Sequence, residues 1–552
     1  MGKGLNIKFD FWLVVLLISI GLVVLFLVYP LGSLLVTGFQ DTRTGAFTMY
    51  HFERFFGTRF FYMTLQRSMH VSITATAFAV TVGVIMAYLT TMFQIKGKKA
   101  VDIFIIISML SPPFLGSYSW ILMAGRAGFI TRFFRDNFGV DIPSIYGFGG
   151  IVLVMTISGF PLIFLLARGA LRKVDASVVE AAESLGCTPI KKALTIVFPL
   201  VTPTILAAAV LVFIDAFTDF GTPLLLGQGY MVMPLFVFNQ FMGDMGGNQN
   251  FASAMSVIMV VIITVLFVVQ KYIVNRKSYS MNALHPIEPA KLTGPKNILA
   301  HAIVYLVTFI ASLPQIVVIT TSFRATRGPI FVPGFSLDSY MGIFRTLGTA
   351  IRNTYVFGAI SIVIILLLGM LFAYLTVRKK SLLTSILDTV AMLPFVIPGS
   401  VIGIILILSF NRQPLMLIGT TQIMILAFVI RRLPFTLRSS SAILHQISPS
   451  MEEAAISLGD SPMKAFFKVT AIMMMPGVIS GAILSWITII NELASTILLF
   501  TTRTRTMTVA IFHEIMRGGF GAAAALATVL TVTTVVSLLI FFKLTGKTEL
   551  SM

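Results

Sequence analysis

Four polar residues sit where polarity is expensive: Asp215 and Asp219 in "FIDAFTDFG", and Asn491 and Glu492 in "ITIINELAS". Each lies in an apolar run long enough to cross a bilayer. An ionisable side chain there marks either the path of a polar cargo or a hydrogen bond that locks neighbouring helices together. Carboxylates at such a place suit a passing hard cation or a polyamine. Asp215 and Asp219, four residues apart, are expected on one face of a helix. Gly221 and Pro223 should loosen that helix and free carbonyls that line a cavity. Counting from about residue 203, Asp219 lies about 24 Å along the helix, nearer the outer mouth than the centre.

Glu492 lies 273 residues beyond Asp219, and the same offset relates two polar inserts. "VVEAAESLGCTPIKKALTIVFP" covers 178–199, and "MEEAAISLGDSPMKAFFKVTAI" covers 451–472. The offset pairs Glu180 with Glu453, Ala181 with Ala454, Ala182 with Ala455, Gly186 with Gly459 and Pro189 with Pro462. Asp175 offers an N-cap, and the alanines let another surface approach closely. Gly186 followed by Pro189 stops one helix and starts the next. The expected unit is helix, hinge, helix, lying outside the bilayer. A single copy could be an ordinary amphipathic surface helix; two matching copies point to a partner with two similar faces.

The elements that must position these residues follow from composition. A chain of 552 residues with 57% hydrophobic and 11% charged residues cannot hide its apolar surface in a water-facing globule, so it reads as a polytopic membrane protein. Twelve spans are predicted near 11–38, 68–93, 100–125, 147–170, 200–226, 251–274, 297–323, 353–377, 383–410, 415–437, 473–500 and 520–543. With a cytoplasmic N-terminus, all eighteen lysines fall inside, as do Arg168, Arg172, Arg378, Arg431, Arg432 and Arg438, while the cations left outside are all arginines. That asymmetry fits the positive-inside rule and puts both inserts and both termini in the cytoplasm. The first apolar run is too long for a signal peptide and is expected to remain as a span.

"AYLT" at 87–90 returns at 373–376, so the repeat extends well beyond the inserts. The expected organisation is a first half at 1–274 with its insert at about 172–199, a linker at 275–296, and a second half at 297–552 with its insert at about 445–472. Six spans per half make the copies parallel repeats about an axis along the membrane normal.

Several chemistries are excluded. The G-x-x-x-x-G-K-[ST] phosphate loop is missing; the nearest approach, Gly546-Lys547-Thr548, has Phe541 where the first glycine belongs. Neither H-E-x-x-H nor G-x-S-x-G occurs, so no enzyme is indicated. The single cysteine, Cys187, excludes disulfides within the chain and a cysteine metal site. No cofactor and no firm metal site is expected, and the 29 methionines read as packing residues. The positive charge is explained by membrane topology, so nucleic acid is not a partner. Outward arginines, including Arg43, Arg54, Arg59, Arg324, Arg327, Arg503 and Arg505, suit either lipid headgroups or an acidic protein surface. A secondary transporter or channel is the rival class, and it would need no cytoplasmic docking inserts.

The inserts resemble the EAA loop of ABC-importer permeases: EAA, three residues, Gly, nine residues, then I-x-L-P. The first copy has Glu180-Ala181-Ala182, Gly186, Ile196 and Pro199, with Phe198 for Leu; the second keeps Glu453-Ala454-Ala455 and Gly459 but has Val469 and Ile472 at the end. The resemblance implies an all-α, type I importer fold with two fused six-helix halves. It also implies two coupling helices seated on an ATPase homodimer that carries the ATP and Mg, and an extracytoplasmic solute-binding protein delivering cargo for alternating access. The setting would be a bacterial inner membrane. "DFGTPLLLG" after the first insert and "NELASTILLF" after the second resemble the iron(III) importer permeases. Permeases for phosphonates, sugar phosphates, thiamine and polyamines look similar.

Overall fold

The computed structural model describes residues 11–243, 247–277, 288–328 and 330–545. Most of the linker and Gly546-Lys547-Thr548 fall outside these described residues. Among the described residues, nine helices are long and apolar enough to cross a membrane: Phe11–Gly38, Arg59–Met92, Phe148–Leu171, Ala193–Thr218, Gln249–Ile273, Gly294–Ser322, Gly348–Arg378, Pro462–Ile490 and Phe520–Leu544. Two more candidates are sharply bent, Lys98–Met109 with Pro113–Phe138 by 100° and Leu382–Phe395 with Gly399–Ser409 by 113°.

The spans expected near 100–125 and 383–410 are thus each broken in the middle. Pro112 and Pro398, 286 residues apart, sit at the breaks with ψ of 140° and 143°. A proline ring has no N–H to continue the ladder and disfavours helical geometry in the residue before it, so the helix must stop and restart. The span expected at 415–437 is displaced to the helix Thr421–Leu444, which carries Arg431, Arg432 and Arg438. All-helical is also too strict, because Arg324–Arg327 pairs antiparallel with Ile330–Phe335.

The two halves repeat contacts as well as sequence. Gly83 presses against Ile163, where a Cβ would lie 2.7 Å away, and Gly369 presses against Thr436 at 2.9 Å. Each pair joins the long second helix of its half to the helix carrying Pro161 or Pro434. The Met233 amide donates to Ser68 Oγ at 2.8 Å, and the Met507 amide donates to Thr354 Oγ1 at 2.8 Å. Arg168 pairs with Asp102 in one half and Arg438 with Asp388 in the other. The arginine is three residues, almost one turn, out of register between the copies, so the ion pair is kept while its donor has moved.

The halves interlock by exchanging their first helices. Trp12 lies 4.2 Å from Tyr374 and 5.2 Å from Phe466, centroid to centroid, in a core of second-half residues. Reciprocally, Ala300, Val304 and Ala311 of the Gly294–Ser322 helix join the core around Phe160, Ile163 and Phe164 of the first half. Ser119 Oγ donates to Pro314 O at 2.8 Å across the same seam.

Candidate functional site

Both inserts fold to the same succession. In the first, the Ser177 amide donates to Asp175 Oδ1 at 2.9 Å, starting the helix Ala176–Ser184. Gly186 then turns at φ +77°, and the Cys187 amide returns to Ala182 O at 3.0 Å. In the second, Ser450–Ser457 ends at Gly459, φ +99°, with the Asp460 amide on Ala455 O at 3.1 Å. This left-handed closure satisfies the last carbonyls of a helix, and glycine adopts it without a Cβ clash. Short helices Pro189–Lys192 and Pro462–Ala465 follow, and a π turn at Ala193–Val197 or Phe466–Thr470 leads into the long helix Phe198–Thr218 or Ala471–Ile490.

Glu180, Ala181, Glu453 and Ala454 are exposed, while Ala182 is buried and Ala455 half-buried. Just before each left-handed glycine an apolar side chain stands in the open, Leu185 at 85% and Leu458 at 90% exposure. The second insert is tied down by Glu452, which accepts from the hydroxyls of Tyr374 and, at 2.9 Å, Thr470.

At the other end of the same long helices lie the intramembrane acids. The first helix ends at Thr218, and Asp219 is extended at ψ 124°. Asp215 and Asp219 therefore do not share a helical face as expected. Asp219 instead accepts the amides of Gly221 at 3.0 Å and Thr222 at 3.2 Å, starting the short helix Gly221–Leu226. Glu492 does the matching task for Thr496–Leu499, accepting the Ser495 amide at 3.1 Å and its hydroxyl at 3.2 Å. The equivalence of Asp219 and Glu492 is thus structural, and both breaks follow from a side chain competing for the backbone. A Cβ on Gly221 would lie 3.7 Å from both Asp219 Oδ1 and Leu493 Cδ2, so the two breaks face each other across the halves.

Glu492 has a second duty that the sequence reading missed. Both of its oxygens accept guanidinium donors, Oε1 from Arg431 Nη1 and Oε2 from Arg432 Nη2 at 2.6 Å. These arginines lie midway along Thr421–Leu444, which corrects their assignment to a cytoplasmic loop. The signal was available: the 273 offset places them opposite Ser158 and Gly159, well inside an apolar span. Gly399 makes room, since a Cβ there would lie 1.7 Å from Arg431 Nη1. Asp215 is exposed and yet within electrostatic range of Arg431, Arg432 and Asp219. Asp215 therefore stands at the seam between the halves, opposite the arginine pair. Asn491 turns elsewhere, donating to Ile487 O at 2.8 Å and Thr534 Oγ1 at 3.3 Å. No group of three or more His, Cys, Asp or Glu among the described residues is placed to hold a metal ion.

The chain matches, at residues 79–279 and again at 365–545, the family described as binding-protein-dependent transport system inner membrane component. It is similar to the ferric transport system permease protein FbpB of Actinobacillus pleuropneumoniae, 27% identical over 97% of this chain and 78% of that one. It is also similar to the Fe(3+)-transport system permease protein FbpB 2 of Haemophilus influenzae, 23% identical over 84% of this chain and 87% of that one. Across 46% of this chain and 95% of the relative, it is 31% identical to a Salmonella paratyphi A protein provisionally named 2-aminoethylphosphonate transport system permease protein PhnV. The matched segments start 286 residues apart, the offset that pairs Ser68 with Thr354 and Gly83 with Gly369, and together they cover most of the chain. The chain belongs to the family of binding-protein-dependent transport system inner membrane components and carries that family's unit twice.

Proposed function

We propose that the chain is the permease subunit that forms the membrane path of an ATP-driven ABC importer of the type I class, with ferric iron as its cargo. Twelve spans are reached by counting each bent pair as one crossing and adding Thr421–Leu444, which stands in the second half where Phe148–Leu171 stands in the first. An extracytoplasmic solute-binding protein delivers the cargo, and an ATPase homodimer holding ATP and Mg docks on the two inserts. Both termini are cytoplasmic. The chain itself hydrolyses nothing.

One observation carries this reading. In each half the helix that begins at the insert ends at the intramembrane carboxylate: Phe198–Thr218 runs into Asp219, and Ala471–Ile490 into Glu492. At 1.5 Å per residue each is a rod of about 30 Å. A displacement of Glu180-Ala181-Ala182 or Glu453-Ala454-Ala455 by a closing ATPase crosses one tight glycine turn, at Gly186 or Gly459, and is then carried to the charged centre along this helix. Asp215 and Asp219 line the path, Glu492 orients the arginine pair, and Asn491 fixes its helix to Phe520–Thr545. Leu185 and Leu458 fill apolar hollows on the two ATPase subunits. Iron as cargo is supported by the similarity to ferric transport permeases over nearly the whole chain; the phosphonate relative supports a second cargo over one half.

The test is uptake and ATP hydrolysis in proteoliposomes holding this chain, its ATPase and its binding protein. Hydrolysis is expected to rise with Fe(III)-loaded binding protein and to stay basal with protein loaded with a sugar phosphate, thiamine or a polyamine. Stimulation by one of those instead would discard iron and keep the importer; absence of any bound ATPase would return the chain to the secondary-transporter class.

A further inference from the structure

The charged centre is not symmetric. The second half contributes two guanidiniums against one carboxylate, and the Nε of Arg432 has no hydrogen-bond partner among the described residues. The first half has Ser158 and Gly159 at the matching positions and contributes Asp215, which is exposed and within electrostatic range of both arginines. Glu492 is saturated by both arginines and by Ser495, so it has no capacity left for a cargo. Across the seam there is therefore a negative pole on one side and a surplus of guanidinium charge on the other. Guanidinium forks match the planar or tetrahedral oxygens of carboxylates and phosphates, and a carboxylate matches a hard cation or an ammonium.

Resting on the importer reading above, we propose that the path recognises a bipolar cargo: a cationic centre taken by Asp215 together with an oxyanion taken by Arg431 and Arg432. Ferric iron fits when it crosses with an oxyanion ligand. A zwitterion with an ammonium and a phosphonate fits by the same two poles. An unaccompanied cation does not, because it satisfies Asp215 and leaves the guanidinium charge in excess of Glu492 unmatched.

The experiment uses the reconstituted full complex with binding protein loaded with ⁵⁵Fe(III) in ³²P-phosphate, and counts both labels inside with and without ATP. Near-equal ATP-dependent accumulation of the two labels is expected. Arg431→Gln, which leaves Glu492 still held by Arg432 and Ser495, should lower uptake of both by about tenfold, the loss of one charge-assisted bond. The amount of assembled complex recovered with the ATPase, measured in parallel, separates lost uptake from lost folding. A second arm offers 2-aminoethylphosphonate, ethylphosphonate and ethylamine. Uptake of the first with refusal of the other two, while iron stays outside, supports the two poles and removes iron as cargo. Iron accumulating without ³²P, equal uptake of ethylamine, or uptake of neither bipolar cargo overturns the proposal.

Discussion

At Gly186 and Gly459 the backbone runs at φ +77° and +99°, where any other residue carries a strain of roughly 1–2 kcal/mol. Gly186→Val is therefore expected to reduce the population of the competent insert by a factor of about 5–30. Binding-protein-stimulated ATP hydrolysis should fall accordingly, with normal amounts of the chain in the membrane. Glu492 tests the opposite end of the rod. Glu492→Gln leaves two half-buried guanidiniums facing a neutral amide and should cost up to about 3 kcal/mol; Ser495→Ala removes one neighbouring hydrogen bond and should cost about 1 kcal/mol. Thermal unfolding of the detergent-solubilised protein separates the two. At His513, burial and then the Arg505 and Arg517 guanidiniums hold the imidazole below its ordinary value. The folded value lies below the unfolded one, so this contribution is complete above about pH 6.5. It is lost as pH falls through the folded value. His513→Asn should flatten part of the fall in melting temperature between pH 7 and pH 5.

Between elements, the tightest joints are glycines against the proline-bearing helices. A methyl group at Gly83 would sit 2.7 Å from Ile163 Cβ, and one at Gly369 2.9 Å from Thr436 Cγ2. Overpacking of this kind costs about 1–3 kcal/mol. Gly83→Val and Gly369→Val should each lower the melting temperature, while Gly21→Val, with nothing within 4 Å, should leave it unchanged. Hydropathy located most of the helices because apolar length is a local property. It did not locate the bends at Pro112 and Pro398 within otherwise continuous apolar runs, nor the strand pair after Ser322. Hydropathy also cannot tell a mid-span arginine that has found a carboxylate from one that marks a helix end. Arg431 and Arg432 were misplaced for that reason, although the offset to Ser158 and Gly159 held the answer.

For the whole molecule, the offset between repeats was the most informative feature of the sequence. It identified the paired inserts and the Asp219–Glu492 equivalence, both of which the backbone reproduces down to the same closing hydrogen bonds. Exchange of the first helices between halves was not legible, because Trp12 and Tyr374 are far apart in sequence and each lies in a run that is apolar on every face. Exchange makes the halves one mechanical body, so two grips on the cytoplasmic side are expected to act on one path. Photo-cross-linking tests this most directly. In a Cys187→Ser background, a benzophenone is attached to a cysteine replacing Leu185, Leu458 or both, and the reconstituted complex is irradiated. Each single variant should cross-link one ATPase subunit, and the double variant should yield chains carrying two. A double variant that never carries more than one, or labels that react only with lipid, would contradict two equivalent grips on a shared path.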